Sequence, residues 1–258
     1  MVKQLGTGVT NSNVETHLVI SGPKLTVEDF TRANFSDAHI RNGFIRKVYL
    51  ILFSQLLVSG GFIALCTLLP VICVWIRHHP IFLYVSYGVF FATYITLACC
   101  TSVRRKVPGN FLALFIFTLA FSYVAGAISC SYGTISVLST VVITAATCLL
   151  VSLFAATGWI DFTKCTALLL VLSIGLILFG LACMVVYLVL GPNKILHTVY
   201  GGVAACVFIL YLIYDTQMII GGGAYDYSPE EYIFGALQLY MDIMNLFLLL
   251  LGLMGNQD

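Results

Sequence analysis

Seven long apolar stretches separated by short polar ones set the layout of this chain. They run from Val48 to Leu69, Ile81 to Thr101, Phe111 to Ser129, Ile135 to Thr157, Cys165 to Leu190, Leu196 to Ile219 and Tyr232 to Met254. Each is close to the about 20 residues that a helix needs to cross about 30 Å of hydrocarbon. None alternates with period two. Backbone donors and acceptors in lipid must be paired within the span, so helices are predicted rather than barrel strands. Short loops make successive spans antiparallel neighbours. The prediction is an all-α membrane protein: a seven-transmembrane-helix bundle over residues 35–258, preceded by a mobile tail over 1–34.

The polar positions refine this outline. Residues 1–30 mix Gly, Thr, Ser, Asn and charge without apolar periodicity, the composition of a mobile segment. Phe35, Ile40, Phe44 and Ile45 stand among charges up to Lys47, which predicts a short interfacial helix leading into the first span. No apolar h-region precedes that span, so the span itself is expected to act as the targeting signal. Gly60 with Ala64, and Gly201 with Ala205, are spaced for close helix contact.

Composition supports the membrane reading, with 60% hydrophobic and 9% charged residues against about 25% charged in an average soluble domain. The few cations also report orientation. With the N-terminus cytosolic, ten of the twelve Lys and Arg residues fall on the inner side, leaving only Arg77 and Lys194 outside; this is the positive-inside pattern. Asn34, in a glycosylation sequon, is then expected to face the cytosol unmodified. Seven full crossings put the C-terminus outside, whereas a seventh element that dips in and returns puts it inside. The nine cysteines read mainly as small buried hydrophobes without metal-ligand spacing. Cys73 and Cys130 lie near the same membrane face, which leaves a bridge between them open.

Two carboxylates break the apolar pattern, Asp215 in YLIYDTQMII and Asp242 in LQLYMDIMNLFLLLL. An ionisable group inside a span costs at least about 2.5–3.5 kcal/mol, so it faces the bundle interior and seeks a partner. Gln238, Asp242 and Asn245 form one polar stripe, and Tyr211 shares a face with Asp215, which makes its hydroxyl a candidate partner. Counting rise per residue puts Asp242 about 15 Å deep and Asp215 about 6 Å deep, an offset of about 9 Å that tilt and side-chain reach can close. Two carboxylates brought together in a low dielectric cannot both ionise easily and would share a proton, making a pH-sensitive latch and a potential cation site. The other reading is that each Asp simply hydrogen-bonds a neighbouring helix and fixes packing.

Four blocks carry a resemblance: FIRKVYLILFSQLL at 44–57, VRRKVPGNFLALFIFTLAFS at 103–122, LIYDTQMIIGG at 212–222 and SPEEYIFGALQLYMDIMNLF at 228–247. Together they resemble the lifeguard branch of the transmembrane Bax inhibitor motif family. The resemblance implies a central C-terminal helix wrapped by the other six. It also implies a pH-sensitive calcium leak across endoplasmic reticulum, Golgi or related membranes, suppression of cell death, and a di-aspartyl pH sensor matching Asp215 and Asp242. An arginine on the second helix of relatives pairs with the sixth-helix Asp; the counterpart here is Arg104.

The leading functional reading is therefore a protonation-gated calcium leak channel, with calcium as the transported ion and no cofactor. The alternative is a non-conducting interaction protein whose partners are membrane proteins of cell death or calcium signalling. No enzyme is predicted, and nothing resembles a nucleotide-binding loop or a nucleic-acid surface. The plasma membrane is a further possible location. His78, His79 and His197 read as solvated or interfacial residues. The cluster Arg104, Arg105 and Lys106 suits a topology signal or anionic lipid. Asp226, Glu230 and Glu231 form an acidic loop, either merely solvated or able to concentrate cations.

Overall fold

The computed structural model describes residues 27–222 and 225–255, with side chains from residue 39 onward. Residues 1–37 separate as a unit of their own, of which the backbone from Val27 is described and is helical. The rest of the expected mobile tail lies outside the described residues. Residues 38–258 form the second unit, the helical bundle itself.

The described residues form nine α-helices: α1 (Val27–Leu68), α2 (Pro70–His78), α3 (Pro80–Cys99), α4 (Thr101–Arg105), α5 (Gly109–Ser129), α6 (Thr134–Thr157), α7 (Thr166–Leu190), α8 (Lys194–Ile220) and α9 (Tyr232–Met254). Seven, all except α2 and α4, are long and apolar enough to cross a membrane. Prolines at the first turn start α2 and α3, where a missing N–H is harmless. Gly158, at φ 65°, ends α6, a left-handed position that suits glycine. The Asn193 side chain accepts from the Ile195 and Leu196 amides at the start of α8, satisfying two otherwise unpaired donors.

The interfacial helix expected over 35–47 does not end before the first span. It runs on as α1, because Phe44 and Val48 both lie in the core and begin a buried stripe continued by Leu52, Gln55, Ser59, Ile63 and Cys66. These recur every three or four residues, the spacing of one helix face. The last helix, α9, has no exposed residue from Ile233 to Leu251, each being buried or half-buried, as suits an inner helix. It packs on α5, α6 and α8, and Tyr240 reaches α1 through a hydrogen bond to Ser59 at 2.7 Å. Ser59 also bonds Ser122 at 2.8 Å, and Gln55 donates to Thr118 at 2.9 Å, so a buried polar ladder ties α1 to α5. Phe90 of α3 packs on Phe117 and Phe121 of α5, and both of these meet the Tyr240 ring edge-on. By contrast, only Leu169 of α7 is buried; this helix is outermost, packed on α8.

Close helix contact occurs at Gly126, where a Cβ would meet Phe62 at 2.6 Å, and at Gly201, where it would meet Leu253 at 2.9 Å. Gly60, expected in the same role, has open space beside it, because α1 turns Ser59 rather than Gly60 to its neighbours. A disulfide joins Cys73 to Cys130 with Cα atoms 5.4 Å apart. It ties α2 to the end of α5, at the opposite end of the bundle from Arg41, Arg104 and Arg105.

Candidate functional site

Asp215 of α8 and Asp242 of α9 are 1% and 5% exposed. Their carboxyl groups lie close enough to interact directly, so the axial offset expected from residue counting is closed. Asp215 Oδ1 accepts a hydrogen bond from the Tyr227 hydroxyl at 2.8 Å. The Oδ2 atoms of both acids are buried without a hydrogen-bond partner among the described residues. A proton held between the two groups relieves both the charge repulsion and the missing donor. Tyr94 of α3 and Cys148 of α6 lie within electrostatic reach of the acids.

The remaining expected site residues are distributed around this pair. Tyr211 turns to α7, where its hydroxyl donates to the Leu169 carbonyl at 3.1 Å and pairs with Ser173; the hydroxyl on Asp215 comes from Tyr227 instead. A helical side chain leans back toward the N-terminus of its helix, which carries the Tyr211 hydroxyl away from an acid one turn further on. Gln238 has its Oε1 buried without a hydrogen-bond partner. Asn245 donates to the Met241 carbonyl of its own helix at 2.8 Å and lines a mainly apolar cavity of about 390 Å³ with Leu176, Tyr200 and Phe208. The stripe of α9 is thus three separate polar positions rather than one network. Arg104 forms an ion pair with Glu231 and lies over the Phe234 ring at 4.6 Å, so the carboxylate it meets in this conformation is Glu231, not Asp215. Arg105 joins it on Glu231 at 2.6 Å and reaches Glu230 at 3.1 Å.

Among the described residues no group of three or more His, Cys, Asp or Glu side chains is arranged to hold a metal ion. The acid pair offers two carboxylates where calcium takes six to eight oxygens.

The model of the family described as "Inhibitor of apoptosis-promoting Bax1" matches residues 41–258. The chain belongs to this family. Protein lifeguard 3 of Mus musculus is 40% identical over 231 residues, covering 90% of this chain and 74% of its own length. Protein lifeguard 3 of Homo sapiens is 39% identical over 238 residues, with 92% and 76% covered. Bax inhibitor 1 of Schizosaccharomyces pombe is 31% identical over 222 residues, with 85% and 79% covered. These similarities put the chain in the lifeguard branch of a family of anti-apoptotic membrane proteins.

Two residues next to the acid pair in this family member, Tyr227 on Asp215 and Arg41 behind Tyr227, break no pattern in the sequence. Arg41 sends Nε to the Ile220 carbonyl at 3.1 Å, Nη1 to the Tyr227 carbonyl at 2.8 Å and Nη2 to the Met218 carbonyl at 3.1 Å. Tyr227 lies in the segment between α8 and α9 that also holds the acidic cluster. Burial first, and the Asp215 charge second, push its phenol well above the usual tyrosine range, so it remains a hydrogen-bond donor at physiological pH. Neither residue belongs to an apolar stripe. The one hint in the sequence is an aromatic residue in a loop joining the two acid-bearing helices.

Proposed function

We propose that this chain is a pH-sensitive calcium leak channel of intracellular membranes, endoplasmic reticulum or Golgi, that suppresses cell death and is gated by Asp215 and Asp242. The observation that carries this reading is the meeting of two buried carboxyl groups from separate spans, each with an oxygen lacking a hydrogen-bond donor. A proton and a divalent cation are alternative ways to neutralise such a pair, which couples pH to ion passage. Its depth near the α8 end and its tyrosine cover fit a gate rather than a packing contact.

We infer further that the N-terminus is cytosolic. The ten-to-two distribution of Lys and Arg supports this. The Cys73–Cys130 disulfide is independent support, since it then lies in a lumen where disulfides persist.

The test is calcium flux into liposomes that contain only this protein, measured across a pH series. Wild-type flux is expected to depend on pH, and Asp215→Asn or Asp242→Asn to flatten that dependence. The double variant should add little to the stronger single one, because the two groups titrate as a unit. Well-folded single variants that keep the full wild-type pH response would falsify the acid gate. Absence of flux at every pH would favour the non-conducting interaction protein.

A further inference from the structure

Among the described residues of the loop after α8, Tyr227 reaches the acid pair, and it is fixed from several directions. Its hydroxyl donates to Asp215 Oδ1 at 2.8 Å. Its amide donates to the Met218 carbonyl at 2.9 Å, and its carbonyl accepts from Arg41 at 2.8 Å. The ring stands edge-on to Phe234 at 5.5 Å, and Phe234 in turn lies beneath the Arg104 guanidinium.

Arg41 is the centre of this arrangement. The last carbonyls of a helix have no intrahelical donor and carry the negative end of its dipole. One guanidinium reaches two of those on α8, from Met218 and Ile220, together with the Tyr227 carbonyl, and pairs with the Asp226 carboxylate at 3.2 Å. A planar fork of five donors can bridge these acceptors at once, which the point charge of lysine cannot. Room for the fork depends on Gly221, at φ +78°, where a Cβ would sit 2.2 Å from Arg41 Nη2.

We propose that Tyr227 is a positioning residue of the acid site and the stopper of its cytosolic end, held in place by Arg41. The proposal rests on the leak reading for the identity of what passes, but not for the contacts themselves. The hydroxyl orients the Asp215 carboxyl and the ring separates the pair from water, so an ion or proton leaving toward the cytosol has to displace Tyr227. The groups facing the acids from the other elements are Tyr94 of α3 and Cys148 of α6.

Two measurements on the full chain in nanodiscs and liposomes test this. The first is the rate at which a water-soluble carbodiimide with an amine nucleophile modifies Asp215, read by peptide mass spectrometry. Arg41→Gln, which loses hydrogen bonds from a charged group, and Tyr227→Ala, which removes the covering ring, are each expected to accelerate modification by about tenfold. Arg41→Lys is expected to fall nearer to Gln than to wild type. The second is the pH midpoint of calcium flux. Tyr227→Phe keeps the ring, so its labelling should stay near the wild-type rate while the flux midpoint moves. Gly221→Ala, which displaces Arg41 without altering its charge, should label like Arg41→Gln. Monodisperse variants that all label at the wild-type rate overturn the stopper. Accelerated labelling in a protein that passes no calcium supports the stopper and rejects the leak reading instead.

Discussion

Gly221 ends α8 with a positive φ of 78°, and Gly222 follows at 86°. A side chain at either position carries the left-handed penalty of about 1 kcal/mol. Only at Gly221 does a Cβ also collide with Arg41, since nothing lies within 4 Å at Gly222. Gly221→Ala is therefore expected to lower the Tm more than Gly222→Ala, and the difference reports the Arg41 cap; equal melting temperatures would show that Arg41 contributes nothing there. At this scale the sequence is informative where a residue is out of place. Asp215 and Asp242 are legible because a carboxyl in an apolar run is costly. Tyr227 is not, because a tyrosine in a polar loop breaks no rule. Tyr211 misleads for a third reason: sharing a helix face with Asp215 does not fix where a long side chain ends, and the Leu169 carbonyl and Ser173 hydroxyl of α7 offer it partners.

Elements are the most legible level. The expected spans and the helices agree to within a few residues everywhere except at the start of α1, since length and apolarity alone define a crossing. Charged residues before Val48 make the first span look as though it starts there, yet Phe44 and Arg41 both face the bundle. Contacts between elements are less visible. The junction of α4 with α9 depends on Glu231, 8% exposed at its side chain, held by Arg104 at 14% and Arg105 at 47%. A double-mutant cycle of Glu231→Gln with Arg104→Gln is expected to give a coupling on the order of 1–3 kcal/mol. The cycle with Arg105→Gln should give a smaller coupling, because solvent screens a half-exposed pair. Thermal melts of the variants in detergent measure both, and a larger coupling for Arg105 would place the weight of this junction at the surface.

Across the whole molecule, the Cys73–Cys130 bridge closes a segment of 57 residues that includes α3 and α5. By chain entropy such a loop contributes at most about 4 kcal/mol, and less where the spans stay helical in lipid on unfolding. Reduction, or the pair Cys73→Ser with Cys130→Ser, should lower the Tm, while oxidised and reduced protein melting together would show that the bridge is energetically idle. The topology adds a consequence of its own at the other end of the bundle. Arg41 belongs to the first span, but its carbonyl partners lie 177 to 186 residues later. At a synthesis rate of about 5–20 residues per second, its binding partners are made roughly 10–40 s after it is. During that interval the guanidinium must remain in water or at lipid headgroups. Closure of the acid site is thus a late event in the life of the nascent chain, so ribosomes stalled before the loop after α8 would leave inserted spans without their seal.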